Sequence, residues 1–172
     1  MNAHQCIDRM DRFRHILTAL RESISPEEAA FKPTNHDWSI TEIISHMLDM
    51  EIEDMRTRLQ LTLEQPKTSW PPIDPEGWAI DRNYKDNDFK HTIDQLIKER
   101  TASITWLRTH KDSDWSTTHT HPKFGSMSAG NLLAAWCSHD SLHLKQITKR
   151  LYQITQQDAA PWSSQYAGEW KA

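Results

Sequence analysis

The sequence predicts an all-α four-helix bundle. Four long segments carry apolar residues at helical spacing, no stretch reads convincingly as a strand, and four glycines in 172 residues suit long helices better than a turn-rich β fold. The first helix is predicted over residues 4–23, with Ile7, Met10, Ile16, Leu17 and Leu20 on one face. Ser25 and Pro26 then break the pattern. The second helix is predicted over 39–63, with Ser39 and Glu42 spaced as a capping box. Its stripe reads Ile40, Ile43, Ile44, Met47, Met50, Met55, Leu59, and Pro66 closes it.

Residues 65–88 form a long connection containing Pro66, Pro71, Pro72 and Pro75 with Trp70 and Trp78. Structureless loops of this length are uncommon in a compact domain and often functional, and the tryptophans imply that this one packs onto the body. Its length also permits a crossover in place of a simple up-down order. The third helix is predicted over 89–110, with Ile93, Leu96, Ile97, Ile104 and Leu107 inward. A polar connection, 111–127, carries His119 and His121. The fourth helix is predicted over 128–154 on the stripe Leu132, Leu133, Trp136, Leu144, Ile147, Leu151. Trp162, Tyr166 and Trp170 in the tail, 155–172, are expected to dock on the bundle. One domain, 1–172, fits the length.

Composition narrows the function classes. A net charge of −4 and no basic stripe argue against nucleic acid as a partner. No apolar run approaches the ~20 residues of a membrane span. The polar start, with Asp8 and Asp11, does not resemble a secretory signal. Cys6 and Cys137 allow one disulfide but suit a reducing compartment at least as well. The expectation is a cytoplasmic protein with a small-molecule substrate; a homodimer stays open.

The informative residues are polar ones on buried faces. His143 falls inside the fourth helix's stripe, between Leu132 and Trp136 on the helical wheel, and His139 at its edge. Four residues apart, their imidazoles project to one side and can reach one metal at ~2.0–2.1 Å. His46 flanks the second helix's stripe, where a bundle can bring it opposite that pair. Ten histidines give about 0.6 such pairs by chance, so spacing alone leaves neutral, hydrogen-bonded core histidines as the alternative. Arg100, Glu51 and Asp140 also interrupt apolar stripes. Buried unpaired charges are costly, so these should pair with one another, orient a ligating histidine, or hold an anionic substrate group. His139-Asp140-Ser141-Leu142-His143 is also a shortened relative of the zinc-protease pattern H-E-x-x-H. The shorter Asp and the lack of a nearby third ligand argue against that reading. His119 and His121 would ligate, line a mouth, or be solvated.

The ordered set of residues resembles the DinB/YfiT-like superfamily of metal-binding four-helix bundles. The likeness begins at Trp38-Ser39-Ile40 with His46 and Glu51. It continues through Asp74-Pro75-Glu76-Gly77-Trp78-Ala79, Tyr84, Arg100 and His121-Pro122-x-x-Gly125. It ends at His139-Asp140-x-x-His143-Leu144-x-Gln146-Ile147. The resemblance implies an up-down-down-up helix order. It also implies one divalent metal on His46, His139 and His143: zinc or nickel first, with iron, manganese and copper as further candidates.

Within that family some members transfer low-molecular-weight thiols and others are described as metal-dependent hydrolases. The expectation is therefore a metal-dependent S-transferase acting on a small thiol. A hydrolase using metal-activated water is the first alternative, and a non-catalytic, metal-stapled bundle or stress-related binding protein the second. Arg100 would hold a carboxylate of the thiol, with Arg82 as a second choice. In the hydrolase, Asp140 or Glu51 would be the base. In a purely structural site, His121 would supply a fourth ligand.

Overall fold

A computed structural model describes residues 3–121 and 123–170. Pro122 of the His121-Pro122 motif and both ends of the expected 1–172 domain lie outside the described residues. Helix α1 spans Ala3–Ser23. Ser25 and Pro26 do more than stop it. Ser25 forms a capping box with Glu28, and Pro26 opens a short helix, α2, Pro26–Ala30, because proline at the first helical position removes no needed donor.

The second rod starts where the capping box predicts. Ser39 Oγ accepts from Glu42 N at 3.2 Å, and the Glu42 carboxylate accepts from Ser39 N at 2.7 Å. The rod is not uniform. Helix α3, Ile40–Asp49, runs into a π-helical segment, Met50–Arg56, and then α4, Thr57–Glu64. The wider π turn lets Thr57 Oγ1 donate to the carbonyl of Ile52, five residues back, at 2.7 Å.

The 65–88 connection is more ordered than expected. It holds α5, Pro75–Asp81, capped by the Asp74 side chain, and a 3₁₀ turn, Tyr84–Asp86. Helix α6 spans Phe89–Thr109. The expectation of no strand is corrected by an antiparallel hairpin, β1, Thr118–His121, and β2, Gly125–Ser128, turning at Gly125 with φ +69°. Helix α7 runs Ala129–Asp158, four residues beyond the expected end. The tail docks less than expected. Trp162 and Tyr166 are 77% and 106% exposed, whereas Trp170 lies 5.7 Å from the Tyr152 ring.

Helix α1 packs on α6 and α7, and α3 also packs on α6 and α7. The first two rods therefore face each other across the bundle instead of lying side by side. Two apolar clusters fill it. One centres on Phe13, Leu17, Ile40, Ile44, Leu96 and Ile147, the other on Met10, Leu59, Ile104, Leu132, Leu133 and Trp136. Between them lies a polar layer. Arg100 comes between Leu96 and Ile104 on α6, Glu51 between Met47 and Leu59 on the second rod, and Asp140 between Trp136 and Ile147 on α7.

Candidate metal centre

The structure brings the three expected histidines together. One nitrogen from each of His46, His139 and His143 lies within 4.8 Å of the others. Ring centroids are 4.2 Å apart for His139 and His143, 4.8 Å for His46 and His143, and 5.5 Å for His46 and His139. The capped start of α3 fixes where His46 stands, two turns in, with Trp38 packed 5.1 Å from its ring.

The donor chemistry fits a divalent ion. Burial pushes His46 down to about 4, helped by His143. Burial, with His143, His46 and Arg100 nearby, pushes His139 down to about 3. Burial also lowers His143, opposed by its bond to Gln146 and by Asp140. All three rings are thus neutral near pH 7 and offer lone pairs. His143 Nδ1 lies 2.7 Å from Gln146 Oε1, so Nδ1–H donates there and Nε2 faces the cluster, 2.9 Å from His139 Nε2. An outer hydrogen bond of this kind is the usual way a ligating histidine is oriented. His46 Nδ1 is buried with no hydrogen-bond partner among the described residues, a costly state that a ligand would relieve. Ligands at ~2.1 Å in a tetrahedral site lie roughly 3.4 Å from one another, within reach of small torsional changes here.

Among the described residues no fourth histidine, cysteine or carboxylate joins this group. His121 is committed elsewhere: its Nδ1 accepts from Lys123 N at 3.0 Å and Phe124 N at 3.2 Å. His119 is half-buried and does not join the triad. Its ring stacks on Trp70 at 4.3 Å, with Nδ1 3.2 Å from the Pro66 carbonyl.

Arg100, Glu51 and Asp140 form one buried network. Arg100 is 1% exposed and donates from Nε to both Glu51 oxygens at 3.0 Å, and from its terminal nitrogens to both Asp140 oxygens. Trp136 Nε1 adds a bond to Glu51 Oε2 at 2.9 Å. The two carboxylates hold the guanidinium firmly protonated, well above its ordinary value, against the cost of burial. Every carboxylate oxygen in this layer already accepts. Of the readings open from sequence, mutual pairing is the one this geometry displays; it engages the carboxylates considered as bases and the guanidinium considered for a substrate carboxylate. Arg82 is likewise engaged, with Asp49 at 2.8 Å, with Glu53, and over the Trp78 ring at 4.3 Å. Cys6 and Cys137 are free thiols, and Cys137 Sγ donates to the Cys6 carbonyl at 3.4 Å.

This geometry sits in a known fold. The model of the DinB superfamily matches residues 9–147. The chain belongs to the DinB superfamily. Among curated relatives, the Oceanobacillus iheyensis protein named "Putative metal-dependent hydrolase OB0782" is 27% identical over 113 residues, which cover 64% of this chain. The matched stretch spans 63% of that protein's own length. Among solved structures, YfiT from Bacillus subtilis superposes with a TM-score of 0.77 at 18% identity, covering 88% of this chain and 87% of YfiT. YfiT is described as a probable metal-dependent hydrolase with an unusual four-helix bundle topology. At that identity the likeness speaks for the fold. Among the described residues no helix is long and apolar enough to cross a membrane.

Proposed function

We propose that this DinB-superfamily protein is a metal-dependent hydrolase whose divalent ion is held by His46, His139 and His143. The observation that carries the reading is the convergence of three neutral imidazoles with no fourth protein ligand among the described residues. Three protein ligands with a position left over characterise catalytic sites, whereas structural sites are closed by a fourth. Nitrogen donors suit zinc or nickel first, with iron, manganese and copper as alternatives. When bound, such an ion polarises a carbonyl or phosphoryl oxygen and lowers the pKa of water towards ~7.

The chain's own residues hold and orient. Gln146 fixes the His143 tautomer. Arg100 clamps Glu51, five residues after His46, to Asp140, next to His139, so the polar layer locks the two rods that carry the histidines. Arg100, Glu51 and Asp140 are positioning residues in this reading. A surface cavity of about 420 Å³ lies on the Gln146 side of His143, lined also by Leu142, Lys145, Lys149 and Trp170.

The names of the relatives favour hydrolysis over the thiol transfer expected from sequence. Both would use the same open position on the ion, so one assay separates them. Zinc- or nickel-loaded protein is offered a panel of carboxylic and phosphoric esters and amides, and separately small thiols with an electrophile. The proposal expects metal-dependent hydrolysis that disappears in His143→Ala. Metal-dependent thiol consumption with no hydrolysis would replace it.

A further inference from the structure

The groove that holds the triad runs between two antiparallel elements. Early in the second rod, the Trp38 carbonyl accepts from Arg150 late in α7. Later in that rod, Asp54 and Met55 share a cleft with Leu132 and Ala135, early in α7. Side chains on a helix lean towards its N-terminus. His46 therefore leans towards Trp38, which packs 5.1 Å from its ring and covers that end of the groove. His139 leans the opposite way, towards Ala135 one turn earlier on the same face of α7.

The cleft begins at that turn. It measures about 160 Å³ and lies between the π segment, the hairpin and α7. Its mouth is open to solvent at Ala135 and at Phe124, which is 65% exposed. Met55, Met127 and Leu132 supply apolar walls. The charges on its polar side cancel, because Asp54 lies 2.8 Å from Arg58 Nε. His121 there already accepts two backbone N–H groups on Nδ1. An apolar space of about 150 Å³ takes one benzene ring. One helical turn is ~5.4 Å, a distance that a carbonyl on the ion followed by a methylene can span.

We propose that this cleft seats the compact, uncharged apolar side group of the substrate whose carbonyl the ion takes, an ester or amide of an arylacetic acid in chemical class. The proposal rests on the metal-dependent reading of the triad and adds its specificity. Ala135, Met55 and Met127 are then the residues that set the size of the group accepted.

The test is calorimetric binding of three zinc-chelating hydroxamates to zinc-loaded and metal-free protein. Acetohydroxamate carries only a methyl group, phenylacetohydroxamate carries the ring, and succinic monohydroxamate carries a carboxylate. The ring probe is expected to bind the zinc-loaded protein roughly tenfold more tightly than the methyl probe, for a ring that is largely removed from water. The carboxylate probe should gain nothing over the methyl one. Ala135→Phe fills the cleft from an exposed position and should bring the ratio of ring to methyl affinities towards one. If that variant loses its helical circular dichroism, Met127→Trp fills the cleft from the hairpin side. Equal affinities for the ring and methyl probes, tightest binding of the carboxylate probe, or a ratio that survives in a folded, filled variant would overturn the cleft and leave the metal reading standing. No zinc-dependent binding of any of the three would overturn the metal reading and this proposal with it.

Discussion

Arg100→Met puts the polar layer to a quantitative test. The substitution keeps an unbranched apolar stem, two atoms shorter than arginine, and removes the charge shared by Glu51 and Asp140, both nearly fully buried. Removing one partner of a buried pair costs about 3–5 kcal/mol. Here two carboxylates are orphaned, so the upper end, about 5 kcal/mol, applies. A domain's whole stability is only about 5–15 kcal/mol. With a urea m-value of about 2 kcal/mol/M, the midpoint should fall by roughly 2.5 M.

The loss should also depend on pH. The orphaned carboxyls would have folded pKa values raised above their unfolded ones near 4. Stability is then kept below about pH 4 and lost as pH rises through the raised values. The deficit must be larger at pH 7.5 than at pH 5. Removing all the charge together, in Arg100→Met/Glu51→Gln/Asp140→Leu, keeps an acceptor for Trp136 and should recover most of the loss. Urea unfolding at both pH values reads all of this. A midpoint change below about 0.5 M, no pH dependence, or a triple variant no better than the single one would refute the reasoning.

Gln146→Leu removes the acceptor that orients His143 and should weaken metal binding about 10–100-fold in competition with a chelator, leaving the melting temperature of the metal-free protein nearly unchanged. Asp37→Asn should destabilise the protein at pH 7 by about 1–3 kcal/mol, read by thermal melting. The Thr34 hydroxyl, with Arg150 behind it, holds the Asp37 carboxyl below its ordinary value. That stability is present above about pH 4 and lost as pH falls through the lowered value, so the variant should show a flatter acid limb.

The long helices were legible because periodicity and caps are local signals. Ser39 and Glu42 announced the start of α3, and the apolar stripes placed the triad on inner faces. The π segment had a trace in the sequence, since the stripe steps five residues from Met50 to Met55 and leaves Asp54 in a buried slot. The hairpin had none of the usual signal. Thr118–His121 and Gly125–Ser128 are almost wholly polar, and their pairing is set by the turn and by Trp70 beneath His119 and His121. Asp140, Glu51 and Arg100 stood out as intruders on apolar faces. Their mutual saturation was a matter of distance between helices, which no single helix encodes. Gln146 was visible only as a residue three after His143.

Anomalous diffraction from crystals grown with zinc tests the central claim most directly. The account predicts one strong peak bonded at about 2.0–2.1 Å to nitrogens of His46, His139 and His143. A peak bound elsewhere, or none at this cluster under saturating zinc, would contradict it.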